Sequence, residues 1–230
     1  MADWAKTDWL KSDDIKPYVF MREDLLALYS KPGCRPLDWF PQKPLIHNPL
    51  LMKEVDFADQ ILKLEGKAFS KADMKMPRWV FYDCAVMPGF VGGFAYRTSK
   101  LNKEVREKLE VDDSLEFTPI SLFIIIPSLQ PGEWVAHNLC TMNSLVGKES
   151  QLYALGFLSK AFGLWYANVE NLCGMTQWLS PAIRLHSNYG PFEIMTAYTP
   201  VHSYARTLTY RSRISLDYWP AFFNKGQPTN

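Results

Sequence analysis

An imbalance of charge is missing from this chain of 230 residues. Lys and Arg total 25 against 24 Asp and Glu, so no net field exists to hold a polyanion such as duplex nucleic acid. A long apolar run is missing too. The most hydrophobic stretch, residues 120–126, falls far short of the roughly 18 to 20 residues a membrane span needs. The opening MADWAKTDWLKSDD carries acids where a secretory leader has its apolar core, which makes a cytoplasmic protein the expectation. Cysteine is scarce and scattered, at Cys34, Cys84, Cys140 and Cys173. That pattern suits neither a zinc knuckle nor a disulfide framework, and buried free thiols are expected instead. The four histidines, at positions 47, 137, 186 and 202, form no close ligand pair, so no metal site is expected. There is no G-x-S-x-G elbow, and Gly147-Lys148 runs into Glu149 rather than the Ser or Thr of a nucleotide-binding loop.

What the chain does have is apolar material, 47% hydrophobic and 14% aromatic, ample for one buried core without disulfides or metal. Two regions are expected: a Pro- and aromatic-rich extension over 1–50, packed on a main domain over 51–230. Pro17, Pro32, Pro36, Pro41, Pro44 and Pro49 interrupt the extension, where only 22–29 has helical character. The extension holds Trp4, Trp9, Tyr18, Phe20, Trp39 and Phe40, too many aromatics for a solvated tail.

Apolar residues at Leu51, Val55, Ala58, Ile61, Leu62 and Leu64 predict a helix over 51–69. Residues 78–87 and 90–97 are rich in aromatics and valine around Pro88-Gly89, which predicts a hairpin. A charged helix over 100–109 follows, then a second hairpin from 118–126 and 133–142 across a longer loop. The helix expected over 152–167 is apolar nearly all round, as one lying under a sheet would be. A strand at 172–178, a short helix at 180–188, and strands near 192–198 and 206–214 complete the order. The fold class that results is α/β (α+β), a mixed and mostly antiparallel sheet flanked by helices.

The segment Gln151-Leu-Tyr-Ala-Leu-Gly156 opens the long helix directly after a strand and a polar loop. Unpaired N–H groups and the positive end of a helix dipole suit a phosphate there, although small residues early in a helix also serve plain helix packing. This Q-x-x-A-x-G resembles the Q/R-x-x-G-x-G/A pyrophosphate loop of the GNAT-type acyl-coenzyme A N-acyltransferase superfamily, with Ala154 at the first glycine. Downstream, Ser180-Pro-Ala-Ile-Arg-Leu-His-Ser-Asn-Tyr-Gly-Pro-Phe192 is similar to the family's N-P-A-x-x-L-Y-x-x-x-G-F stretch, with His186 where a tyrosine is usual. The two segments stand in the family's order, one helix and one strand apart. The resemblance spans about residues 90–214.

The resemblance implies an acyl-coenzyme A, acetyl or longer, as co-substrate in a cleft between parallel strands at 133–142 and 172–178. Pantetheine would lie along the first strand near Leu139 and Thr141, and pyrophosphate would meet Gln151, Tyr153, Ala154, Leu155 and Gly156. A small amine would attack the thioester directly. His137, on the cleft strand, is the candidate general base, its ordinary pKa near 6.5 being suited to that task; a core histidine is the bland alternative. Strand alternation sets His137 on the face opposite Ala136 and Asn138. His186 would assist the departing thiolate, the alternative being a helix-surface histidine near a turn, and Tyr189 is the substitute acid. Trp134 and Trp178 would wall the substrate pocket unless they serve core packing. Glu133 is expected at a solvated strand end, and Arg206, Arg211 and Arg213 on a solvated strand face. The competing function is a non-catalytic acyl-coenzyme A or acyl-thioester binding protein. A homodimer built through the aromatic arm is the remaining partner expectation, with no nucleic acid and no membrane.

Overall fold

The computed structural model describes residues 4–21, 42–50, 55–70, 75–87, 89–177, 180, 182–195 and 207–214. Among them, nine strands form one sheet. These are β1 (Ile15–Phe20), β2 (Leu45–His47), β3 (Phe90–Arg97), β4 (Phe117–Pro119), β5 (Ser121–Pro127), β6 (Glu133–Thr141), β7 (Asn171–Gln177), β8 (Phe192–Met195) and β9 (Thr207–Arg213). Their order is β2-β1-β3-β5-β6-β7-β9-β8, with β4 pairing β3. Two pairings are parallel, β1 with β2 and β6 with β7, and the others are antiparallel. Segments from the Pro-rich first fifty residues thus enter the sheet itself. Buried Tyr18 of β1 ties them there, its hydroxyl donating to the Ser121 carbonyl at 2.6 Å. The helix expected over 22–29, together with Cys34, Trp39, Phe40, Trp178, His202 and Arg206, lies outside the described residues.

Helix α1 (Val55–Ala68) follows the expected pattern: Phe57, Ala58, Ile61 and Leu64 are buried along one stripe. Helix α2 (Arg78–Val86) corrects the first predicted hairpin, because residues 78–86 are helical. Its aromatics and valines suggest a strand, but Phe81, Cys84 and Ala85 are the buried residues, an i, i+3, i+4 set that only a helix puts on one side. Pro77 at the N-cap begins it. Gly89 therefore leads from helix to strand, so close to β5 that a Cβ there would lie 2.5 Å from the Ile125 carbonyl oxygen.

Helix α3 (Lys103–Leu109) is capped by Asn102, whose side chain accepts from Val105 N–H. Helix α4 (Leu155–Tyr166) is buried nearly all round, and α5 (Ala182–His186) is a short helix after β7. Gly163 lets α4 press onto β3 and β5: a Cβ there would come within 2.6 Å of the Phe123 ring and 2.7 Å of Phe90. The second expected hairpin is present as β5 and β6.

The two long helices cover opposite faces of the sheet. Ser159 of α4 donates to the Ser121 hydroxyl, while Glu65 of α1 accepts from Asn138, which stands opposite Ile124. Ser121 and Ile124 are three apart on one strand and so point to opposite sides. Strand β5 between the helices is buried from Ser121 to Ile125.

Candidate active site

Strands β6 and β7 pair only at their beginnings. The parallel ladder runs from Glu133↔Asn171 to Ala136↔Gly174 and stops. Beyond that point β6 continues against β5 as far as Thr141↔Ser121, while β7 continues against β9 to Gln177↔Thr207. Among the described residues, 137–141 of β6 therefore have no ladder partner on the β7 side, and the sheet forks.

A β-bulge marks the fork. Pairing steps from Ile124↔Asn138 to Ile125↔Ala136, which leaves His137 as the extra residue. A bulge bends its strand and adds twist, which turns β6 away from β7. It also breaks the alternation expected from sequence. Ala136 and Asn138 face opposite sides of the sheet rather than the same one, and His137 touches its neighbour, Nδ1 lying 2.7 Å from Asn138 Oδ1. The Asn138 amide donates from Nδ2 to Glu65 Oε1 at 2.8 Å. A carboxylate oxygen can only accept, so the amide nitrogen faces Glu65 and the amide oxygen faces the imidazole. Nδ1 of the exposed His137 ring is then the donor, which in the neutral imidazole leaves the lone pair on Nε2. Buried Glu65 also accepts from Met76 N–H, and burial raises its carboxyl pKa.

The other wall begins at the N-terminus of α4. Asn143 holds the preceding loop, accepting from Leu152 N–H at 3.0 Å and donating to the Leu152 carbonyl at 2.7 Å. Gln151 is a brace inside this loop, its amide donating to the carbonyls of Asn143 and Val146. Glu104 of α3 steadies the loop from outside by accepting from Gly147 N–H and the Ser150 hydroxyl, bonds that lower its pKa. Ala154 adopts φ 59°, the left-handed conformation a glycine favours. Leu155 is buried and its N–H donates to the Leu152 carbonyl. The N–H groups of Ala154 and Gly156 have no acceptor among the described residues. Gly156 packs toward the end of β6, where a Cβ would be 3.6 Å from Thr141 and 3.4 Å from Leu185 of α5. The Tyr153 carbonyl accepts from the Trp9 indole at 3.0 Å, and Lys6 lies 5.9 Å from the Tyr153 ring centre. The 3-10 segment Trp4–Lys11 thus leans on this loop.

His186 is buried, which corrects the helix-surface alternative. Its Nδ1 is 2.7 Å from Lys160 Nζ and 3.2 Å from the Tyr210 hydroxyl, and its ring stacks on Tyr210 at 4.5 Å. Burial, with Lys160 beside it, lowers the imidazole pKa to about 2. Burial also drives the fully enclosed Lys160 amine well below its ordinary range. A neutral His186 with Nδ1 accepting carries its proton on Nε2. Tyr210 reaches back to the fork, since a Cβ on Gly174 would meet its hydroxyl oxygen at 2.5 Å. The Tyr189 hydroxyl donates to the Phe157 carbonyl at 3.0 Å, its ring stacks on Phe157, and burial holds its pKa well above 10.

Leu139 and Thr141 lie on the stretch of β6 that pairs with β5 but has no ladder partner on the β7 side among the described residues. Trp134 does not: it stands opposite Leu172 in the paired stretch and packs on the core. Glu133 is not a solvated strand end but an ion-pair partner of Arg211 at 3.1 Å and an acceptor for Ser128. Cys84 and Cys140 are buried free thiols, while Cys173 is half-buried. No cluster of metal-ligating side chains occurs among the described residues, and no helix among them is long and apolar enough to cross a membrane.

Sequence reasoning missed Glu65 and Lys160. Glu65 continues the stripe of Ala58 and Ile61, where a carboxylate among apolar neighbours needs a partner. Lys160 is the sole charge in LGFLSKAFGLWY, and a helix apolar all round leaves it no solvated side.

No family model matches the chain, and no curated protein sequence matches it. Among solved structures, the chain is similar to one described as the NatC complex bound to Gag peptide and CoA, at 11% identity and a TM-score of 0.47. That match covers 73% of this chain and 97% of the other. It is also similar to the ribosomal-protein-S18-alanine N-acetyltransferase from Escherichia coli, at 12% identity and 0.43, over 72% and 91% of the two chains. An acetyltransferase from Streptococcus agalactiae matches at 10% identity and 0.47, over 70% and 93%.

Proposed function

We propose that this protein transfers an acyl group from coenzyme A to the nitrogen of a small amine by direct attack. The observation that carries this reading is the fork: β6 and β7 separate after Ala136↔Gly174, with bulged His137 at the point of separation. The open edge of β6 offers peptide groups at Leu139 and Thr141 to an extended pantetheine. The first turn of α4 offers the N–H groups of Ala154 and Gly156, together with its dipole, to a pyrophosphate. A left-handed Ala154 and a side-chain-free Gly156 keep that approach open.

The amine forms a C–N bond to the thioester carbonyl as the C–S bond breaks. His137 takes the amine proton on Nε2, the nitrogen its contact with Asn138 leaves unprotonated. His186 works as a neutral donor: its Nε2–H hydrogen-bonds the departing sulfur, which ends as a thiol once a proton returns through solvent. Tyr189 has its hydroxyl engaged by Phe157 and holds the α4 wall in place.

Two measurements test this. Calorimetric titration with acetyl-coenzyme A and longer acyl-coenzyme A esters should give saturable binding, and a panel of amines should give free thiol. His137→Ala should lower turnover by about a hundredfold or more with coenzyme binding retained. Binding with no thiol released from any amine would favour the non-catalytic acyl-thioester protein, and absence of binding would reject both readings.

A further inference from the structure

We infer that Glu65 is a positioning residue: acting through Asn138, it holds His137 in the tautomer that keeps Nδ1 protonated and presents the Nε2 lone pair at the fork. The inference deepens the acyltransferase reading and rests on it for its effect on turnover, while the tautomer itself can be read without any activity.

Three contacts carry it. Asn138 Nδ2 donates to Glu65 Oε1 at 2.8 Å, and this bond sets which end of the amide faces α1. The other end, Oδ1, is 2.7 Å from His137 Nδ1. An amide oxygen is an acceptor only, so the ring nitrogen it meets must donate. Glu65 cannot drift, because Met76 N–H reaches both its oxygens at 3.0 and 3.1 Å and its side chain is fully buried. The bulge is what makes the relay reach. On a regular strand, neighbouring side chains point to opposite faces, whereas here His137 and Asn138 touch. A free imidazole in water exchanges between its two neutral tautomers, and a wrong tautomer at a general base removes the lone pair from the reacting side.

The test is long-range proton–nitrogen NMR of the full-length protein with labelled histidine, recorded where His137 is neutral. The wild type should show His137 protonated on Nδ1. Glu65→Met removes the acceptor, leaves the Asn138 amide free to turn, and should give a mixture of tautomers with a fall in kcat of about tenfold or more and unchanged coenzyme affinity. Glu65→Gln keeps an oxygen at the Oε1 position for both donors and should restore the wild-type spectrum and rate. If Glu65→Met fails to fold, Asn138→Leu spares the link between Glu65 and Met76 and should release the same mixture. A His137 tautomer unchanged in Glu65→Met or Asn138→Leu overturns the relay. A changed tautomer in a protein that binds no coenzyme A upholds the relay and rejects the acyltransferase reading instead.

Discussion

The side-chain nitrogen of Lys160 lies 2.7 Å from Nδ1 of His186, with both residues enclosed beneath the end of the sheet that forks. Burial disfavours the charged form of each, so the pair is a neutral amine beside a neutral imidazole rather than two cations.

Stability should therefore depend on pH through both groups. A base whose pKa is lower in the folded chain leaves the unfolded chain with more bound protons across the interval between the two values. Stability falls as pH falls through that interval. For His186 the interval runs from 6.5 down to about 2. For Lys160 it runs from 10.5 down to its depressed value. Between pH 6.5 and 8, above the histidine range and below the titration of unfolded thiols, wild-type stability should rise with pH. The Lys160→Met variant should rise less steeply, by up to about 1.4 kcal/mol per pH unit. Urea unfolding at several pH values measures both slopes, and parallel curves would contradict the neutral buried lysine.

Removing the acceptor should cost more than removing the pair. His186→Phe keeps a ring on Tyr210 but strips Lys160 of its near partner, for a loss of about 1–3 kcal/mol. In a Lys160→Met background the same substitution should cost less, because no buried donor is left unmet. A double-mutant cycle from denaturation midpoints reads the coupling. Strict additivity would mean that the 2.7 Å contact carries no energy.

Ala154 sits at φ 59° with no side-chain hydrogen bond to reward it. Left-handed geometry costs a non-glycine residue about 1–2 kcal/mol, of which the greater freedom of unfolded glycine takes back part. Ala154→Gly should accordingly be more stable by about 0.5–1 kcal/mol and bind coenzyme A at least as tightly. Ala154→Val, branched at a position that needs positive φ, should lose both stability and binding. Thermal melts with parallel calorimetry distinguish these outcomes, and a destabilised glycine variant would mean that the loop depends on the alanine methyl.

Much of the frame was legible because it follows period and punctuation. The stripe of Phe57, Ala58, Ile61 and Leu64 marks α1, and the continuous apolar run of β5 marks a strand covered on both faces. Residues 78–86 misled because aromatic and valine content outweighed a short helical spacing visible only at Phe81, Cys84 and Ala85. Candidate residues on the fork were legible through motif order, but their geometry was not. Nothing in Val135-Ala-His-Asn-Leu139 announces a bulge, since a bulge is settled by how β5 and β6 register. The partners of His186 and Asn138 come from Lys160 and Glu65, 26 and 73 residues away, through packing that no local pattern encodes.

Hydrogen exchange of the full-length chain, with and without coenzyme A, tests the fork most directly. The account predicts saturable protection concentrated in residues 137–141 of β6 and 151–157 at the start of α4. Coenzyme A that leaves both segments unprotected, or protects a different face of the sheet, would contradict it.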